Sequence, residues 1–139
     1  MIKRIGRLVH VKQRAVDEAA GALAAGQART ELAERALGGA ERALAAALER
    51  GASAESIADL VDLDAHTRSL RQVVQRAAAE RSARRQDEER FRQAVAEARM
   101  ELRRFELWRA RAEANEAAAA GRIGRAAEDD LAARKRRDA

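Results

Sequence analysis

A seven-residue repeat of larger side chains runs through the first fifty residues of this chain. A second series, made mostly of small residues, follows the first at a spacing of three. The first series is Val9, Val16, Leu23, Thr30, Leu37 and Leu44, and the second is Lys12, Ala19, Gly26, Ala33, Ala40 and Ala47. No proline occurs in the 139 residues. A 3-4 spacing sustained over several heptads predicts a coiled coil and an elongated molecule.

A second repeat with its own phase begins near Ser56. Its two series are Leu60, Thr67, Val74, Arg81, Glu88, Val95 and Leu102, and Leu63, Leu70, Ala77, Arg84, Phe91, Ala98, Phe105 and Ala112. Two such helices joined by a few residues fold back antiparallel to each other. We therefore predict an all-α fold, an antiparallel coiled-coil hairpin in which residues 1–139 form a single domain. Helix 1 is expected over about 2–50, the turn over about 51–55 and helix 2 over about 56–135.

The residues around the turn also predict how the two helices face each other. Gly51 after Arg50 is typical of a helix C-terminus, and either Ser53 or Ser56 fits the N-cap of the second helix. If the chain folds back about Ala52–Ser53, the numbers of facing residues sum to roughly 105. This register predicts the neighbouring pairs Leu60 and Leu44, Val95 and Val9, Leu102 and Ile2, and Lys12 and Ala94.

The second helix is longer than the first, so its C-terminal part has no partner in the same chain. On this register the overhang begins at Phe105 and contains about 35 residues. Isolated helices are marginal in water, and we expect about the last 15–20 residues to fray unless a partner binds them.

Three charged residues interrupt the apolar repeat of the second helix, namely Arg81, Arg84 and Glu88. Long arginine side chains can lie along an apolar seam with their charged ends in water. The alternative is that this segment is weakly paired or contacts a partner. The sequence favours the first interpretation and leaves the second open.

Composition and charge limit the function classes. The chain contains 37 alanines and no cysteine, which predicts a thin seam and excludes disulfides and thiolate metal sites. No apolar stretch long enough for a membrane span or a signal peptide is visible, so we expect a cytoplasmic protein. The net charge is +5, but residues 51–75 carry an acidic excess while residues 1–50 and 76–139 are basic.

The sequence shows no pattern of catalytic or metal-binding groups. Catalysis needs several groups that converge in a concave pocket, which a two-helix hairpin is not expected to form. His10 and His66 lie near opposite ends of the predicted hairpin, and neither has a second ligand three or four residues further on. We therefore expect no enzyme activity, no cofactor and no metal site. Basic residues alternate with acids and aromatics are scarce, so no specific nucleic-acid binding is expected either.

Residues near both ends of the chain resemble a known family. At the N-terminus these residues are Met1 to Ile5, Arg7, Leu8, Val11 to Ala15, Glu18 and Ala19; further on they are Arg103 to Trp108 and Glu128 to Leu131. The layout is similar to that of the YscO family, the central stalk proteins of type III secretion injectisomes, and to the flagellar homologue FliJ. The N-terminal match favours the injectisome type.

The resemblance implies a non-enzymatic stalk, an antiparallel two-helix coiled coil that couples a hexameric secretion ATPase to the cytoplasmic domain of the export gate. Such a protein stimulates the ATPase and export, and lies peripherally at the inner-membrane export apparatus, in contact with the membrane only through its partners. Some members bind chaperones of exported proteins. The implied ATPase-binding residues are Arg4, Arg7, Arg104, Phe105 and Trp108. The implied gate-binding residues at the hairpin tip are Leu44, Leu48, Asp59, Leu60, Asp62, Leu63, His66 and Leu70.

Other functions stay open on the sequence. The same helical faces suit a general coiled-coil adaptor or an export-chaperone-binding protein. A basic coiled coil that binds nucleic acid is a weaker alternative, and a hairpin that opens and dimerises is another. For Trp108, the predicted register places the side chain beyond the paired region, where it would be an exposed anchor for a partner.

Overall fold

The chain consists of two long helices, α1 (Ile2–Gly51) and α2 (Ile57–Asp138), and contains no strand. In the computed structural model, which describes all 139 residues, the helices pack against each other as a helical hairpin. The predicted all-α hairpin is therefore confirmed. The observed helix limits differ from the predicted ones by at most three residues: α1 begins at Ile2 as predicted and includes Gly51, and α2 runs from Ile57 to Asp138.

The turn is built by backbone hydrogen bonds and a serine cap. The amides of Ala52, Ser53 and Ala54 donate to carbonyls three residues earlier, at 3.2–3.4 Å, which tightens the end of α1. Ser56 Oγ accepts a hydrogen bond from the amide of Asp59 at 3.1 Å, so Ser56 is the N-cap of α2. No residue has a positive φ. Gly51 therefore does not end α1 by the left-handed geometry that its position suggested.

The heptad series do form the seam between the helices. In α1 every member of both series is buried or half-buried, and the same holds in α2 except at Leu60. The buried positions of α1 are Val16, Gly26, Thr30, Ala33, Leu37, Ala40 and Ala47. Most of these side chains are small, so the seam is narrow and close contact between the helices is possible.

The contacts of the hairpin fall into two compact units, Met1–Asp17 with Glu97–Ala139, and Glu18–Ala96. Within the second unit, Thr30 Oγ1 lies 3.3 Å from the carbonyl oxygen of Arg84. Leu63 packs against Gly51 in the same unit, with Cδ2 3.0 Å from the position that a Cβ of Gly51 would take. Both pairs of residue numbers sum to 114. The predicted register of roughly 105 is therefore wrong by about nine residues.

The first unit shows the same displacement. Lys12 Nζ lies 3.6 Å from a carboxylate oxygen of Glu101, and 5.3 Å from the centre of the Phe105 ring. The pairing of Lys12 with Ala94 was therefore wrong, as were the other three predicted pairs, which assumed the same register.

The register differs because the hairpin is not centred on Ala52–Ser53. The turn occupies Ala52–Ser56, and α2 advances more than a full turn before Leu63 reaches Gly51. The first turns of α2 consequently extend past the end of α1. This explains why Leu60 is half exposed instead of lying beside Leu44.

The overhang of α2 is shorter than predicted. Met1 and Ile5, at the start of the chain, line one groove together with Trp108 and Asn115 of α2. Pairing therefore reaches Asn115, whereas the overhang was expected to begin at Phe105. About 23 residues of α2 follow, and they are helical to Asp138.

The charged interruption in α2 is paired mainly within its own helix. The Arg84 guanidinium lies 2.7 Å from Glu80 and 3.3 Å from Asp87. The hydrogen bond and charge of Glu80, with a smaller effect of Asp87, raise the pKa of Arg84 above its usual value. In this segment an ion pair also joins the two helices, between Arg85 and Glu34 at 2.9 Å. The interpretation that an arginine side chain lies along the seam with its charged end in water holds for Arg84, whose side chain remains partly exposed.

Two glycines of α1 give a test of the seam. A Cβ at Gly26 would lie 2.6 Å from Cδ2 of Phe91, whereas a Cβ at Gly21 would meet nothing within 4 Å. Alanine is favoured over glycine in a helix by about 1 kcal/mol, so we expect Gly21→Ala to stabilise the hairpin by that amount. Overpacking costs about 1–3 kcal/mol, so Gly26→Ala should be neutral or destabilising.

Urea unfolding followed by circular dichroism measures both effects. Adding Phe91→Leu to Gly26→Ala should recover part of the lost stability, because the smaller side chain leaves room for the new methyl group. Equal stabilisation by Gly21→Ala and Gly26→Ala would show that Phe91 does not pack on Gly26.

The end of pairing at Asn115 gives a second test. Amide protons of the helix beyond it have only local structure to protect them, so we expect fast hydrogen exchange in residues 116–138 and slower exchange in residues 97–112. Exchange measured by NMR or mass spectrometry locates the boundary. A boundary at Phe105 instead would restore the longer overhang that the sequence predicted.

Candidate functional site

Five side chains form a cluster where the N-terminal part of α1 meets α2, and we call them the terminal cluster. The rings of Phe105 and Trp108 meet edge to face, with centroids 5.0 Å apart and planes at 69°. The guanidinium of Arg104 lies 5.0 Å from the Trp108 ring centre, and the Lys12 ammonium lies 5.3 Å from the Phe105 ring centre. Both cations are within the distance at which aromatic rings attract them.

Glu101 is the fifth member and holds the two cations in place. One carboxylate oxygen lies 3.6 Å from Lys12 Nζ, and the other lies 3.7 Å from an Arg104 nitrogen. Residues at spacings of three, four and seven share one side of a helix, so α2 alone places Glu101 beside Arg104, Phe105 and Trp108. α1 contributes Lys12, a polar residue at a seam position.

The structure brings together three of the five predicted ATPase-binding residues, Arg104, Phe105 and Trp108. Trp108 is 45% exposed, but it is not beyond the paired region as predicted, because it borders Met1 and Ile5. Arg4 and Arg7 are exposed in the first two turns of α1, and neither forms an ion pair within 4 Å or a hydrogen bond to the cluster.

Lys12 and Glu101 are cluster residues that the sequence analysis did not assign. Lys12 belongs to the second heptad series of α1, but the predicted register paired it with Ala94. With the observed register, its position in the heptad would have pointed to Glu101 and Phe105. The contact was therefore missed because the predicted register was wrong, and not because of the residue types involved.

Two shallow grooves flank Trp108. One, of about 360 Å³, lies on α2 and is lined by Met100, Arg103, Arg104, Leu107, Trp108 and Arg111. The other, of about 280 Å³, lies between the helices and is lined by Met1, Ile5, Trp108, Arg111, Ala112 and Asn115. Trp108 and Arg111 contribute to both grooves. Met100 and Leu107 were not among the predicted site residues, although their spacing of seven marks a second apolar line on α2.

At the tip of the hairpin, the predicted gate-binding residues do not form a single cluster. Of the predicted gate-binding residues, Leu44, Leu63 and Leu70 are half-buried in the seam, and Leu63 packs against Gly51. The other five are exposed: Leu48, Asp59, Leu60, Asp62 and His66. The acidic and apolar side chains that the sequence placed at the tip are thus divided between the seam and the surface.

Ile57 and Val61 are also exposed at the tip and were missed by the sequence analysis. Ile57 is 80% exposed and Val61 is 62% exposed. Ile57 lies three residues before Leu60 and four before Val61, the spacings at which side chains on a helix are neighbours. The spacing was visible in the sequence. Their exposure follows from the late meeting of α2 with α1, which the predicted register did not include.

Apolar and charged side chains are exposed both at the terminal cluster and at the tip. No cluster of three or more potential metal-ligating side chains is present. Neither helix has a stretch with the length and apolar character needed to cross a membrane. No protein-family model, no curated protein and no solved structure matches this chain.

The role of Glu101 can be tested against Glu97, an exposed acid one turn earlier that forms no ion pair within 4 Å. Glu101→Gln removes the charge that holds Lys12 and Arg104. Because these pairs are partly exposed, we expect a loss of about 1 kcal/mol or less in unfolding free energy. We also expect altered Trp108 emission, because Arg104 is released from its position at the ring.

Glu97→Gln makes the same chemical change without touching the cluster, and should leave the fluorescence of Trp108 unchanged. Trp108 is the only tryptophan of the chain, so the emission reports on this site alone. If the two variants shift the emission equally, Glu101 has no special role in the cluster.

Proposed function

We propose that this protein is a non-enzymatic stalk of a type III secretion system, which couples the hexameric export ATPase to the export gate and stimulates ATPase activity and protein export. The observation that carries the proposal is the terminal cluster. Its aromatic and basic side chains lie in the two segments, around Lys12 and around Phe105, that resemble the stalk family. The hairpin with helices of unequal length supports the same function.

The charge distribution suits two different partners. Residues 1–50 carry a net charge of +3 and residues 76–139 a net charge of +4, whereas residues 51–75 carry −2. An acidic lining of an ATPase pore would attract the basic segments, and a basic surface of the gate would attract the acidic tip. Complementary charge mainly sets orientation and the rate of association. The two ends of the stalk therefore differ in the partner that they favour.

A single hairpin also fits the mechanical role. A molecule without sixfold symmetry contacts the subunits of a hexameric ring unequally, so it can favour one subunit state over another. The proposed location is the cytoplasmic side of the inner-membrane export apparatus, with chaperones of exported proteins as further partners. The injectisome type is favoured over the flagellar type by the N-terminal resemblance.

ATP hydrolysis by the cognate secretion ATPase provides the direct test. Titration of the purified hexamer with this protein should raise the hydrolysis rate to a plateau, and the two proteins should co-purify at moderate salt. A protein that neither stimulates nor co-purifies is not the stalk of that ATPase. If it binds export chaperones instead, the adaptor function applies.

Two charge-matched double variants test the binding roles of the two ends of the hairpin independently. Arg104→Glu with Trp108→Ala disrupts the terminal cluster and should weaken ATPase binding by about tenfold or more, because buried aromatic and arginine contacts dominate interfaces. Arg68→Glu with Leu60→Ala makes the same charge change at the tip and should leave ATPase binding intact. Both should retain the helical circular dichroism of the unmodified protein.

Gate binding should be unaffected by the Arg104 and Trp108 variant, which leaves the tip residues unchanged. In the tip variant the added acidic charge favours a basic gate surface, so a loss of gate binding there would assign a gate contact to the Leu60 side chain. Equal losses of ATPase binding in both variants would indicate a general charge effect. A collapse of helicity in the Trp108 variant would assign its residues to the fold and not to the interface.

A further inference from the structure

Met100 and Leu107 are two exposed apolar residues of α2 that lie outside both heptad series. Met100 is 70% exposed and Leu107 is 53% exposed. They belong to neither heptad series, and the nearby seam positions are occupied by Leu102 and Phe105, which are half-buried. Because residues seven apart lie on the same face of a helix, Met100 and Leu107 share one surface. Trp108 closes one side of that surface.

Arginines surround this groove and are only weakly engaged. Arg103 lies 3.8 Å from Glu106 and Arg104 lies 3.7 Å from Glu101, and both arginine side chains are largely exposed. Arg111 forms no ion pair within 4 Å. Exposed pairs at such distances contribute little to stability, so a partner's carboxylate can replace them at low cost.

We propose that this groove, lined by Met100, Leu107 and Trp108 and bordered by Arg103, Arg104 and Arg111, binds an acidic amphipathic helix of a partner protein. Apolar side chains at heptad spacing on the partner match the spacing of Met100 and Leu107. Carboxylates beside them pair with guanidinium groups, whose planar geometry allows them to donate two parallel hydrogen bonds to one carboxylate.

The acids between the arginines favour a helix over a continuous anionic surface. Glu97, Glu101 and Glu106 lie among the basic residues of this part of α2. A lipid surface or a nucleic-acid backbone presents negative charge everywhere and is repelled at these positions. A partner helix carries its carboxylates at separate positions, so they can lie beside the arginines and away from these glutamates. The groove therefore selects a patterned acidic partner.

This inference does not depend on the proposed stalk function. The groove shares Arg104 and Trp108 with the terminal cluster, but its apolar floor lies outside that cluster. Binding to it can be measured without any secretion ATPase. Failure of ATPase stimulation and failure of groove binding are therefore separate results.

The test uses the full chain and two synthetic helical peptides of about three heptads each, a length at which coiled-coil pairing is detectable. Both peptides carry leucine at the a and d positions, one with glutamate and the other with lysine at the flanking positions. Trp108 emission reports binding, since the chain has no other tryptophan. We expect a saturable change with the glutamate peptide and none with the lysine peptide.

Single variants then locate the binding site. Leu107→Glu and Arg111→Glu should each lower the affinity for the glutamate peptide by about tenfold or more, as expected for central contacts of an interface. Ile123→Glu is the matched control, because Ile123 is an exposed apolar residue of the overhang that does not line the groove. All three variants should retain the helical circular dichroism of the parent.

Several outcomes would overturn the proposal. Equal binding of the two peptides, or equal weakening by Ile123→Glu, shows that the groove does not select an acidic helix. An emission change with phosphatidylglycerol vesicles but not with the glutamate peptide assigns the surface to lipid. A change that depends on protein concentration alone assigns it to a second copy of this chain.

Discussion

Close packing of large side chains on small ones holds the two helices together. Phe91 lies on Gly26 and Leu63 lies on Gly51, in both cases where a methyl group would collide or nearly touch. Alanine fills half of the other buried seam positions of α1, namely Ala33, Ala40 and Ala47. A seam of this kind brings the helices near to each other while burying only one narrow face of each. The remaining faces are left to solvent, ion pairs and partners.

The narrow seam explains why the sequence predicted the pairing faces but not the register. Heptad periodicity identifies which residues turn inward, and nearly every such residue is buried or half-buried. Alanine, however, offers a similar surface in every register, so the repeat alone does not select one. Individual contacts select it instead, such as Phe91 on Gly26 and the Thr30 hydroxyl donating to the carbonyl of Arg84. Contacts of this kind depend on the shape of the turn, which the sequence did not specify.

The error in register decided which parts of the candidate site were predictable. Arg104, Phe105 and Trp108 were identified because their spacing within α2 is local and independent of pairing. Lys12 and Glu101 were missed as partners because their contact joins two helices. The exposure of Ile57 has the same origin, since it depends on how far α2 advances before it meets α1.

The terminal cluster also replaces apolar packing at one seam position. Lys12 occupies a place that the heptad reserves for a small or apolar residue, and its charge is accommodated by the Phe105 ring and by Glu101. Glu101 is shared with Arg104, whose guanidinium in turn faces Trp108. An acidic partner that binds Arg104 therefore competes with Glu101 and changes the charge balance around Lys12. The proposed groove and the seam between the helices therefore meet at one carboxylate, that of Glu101.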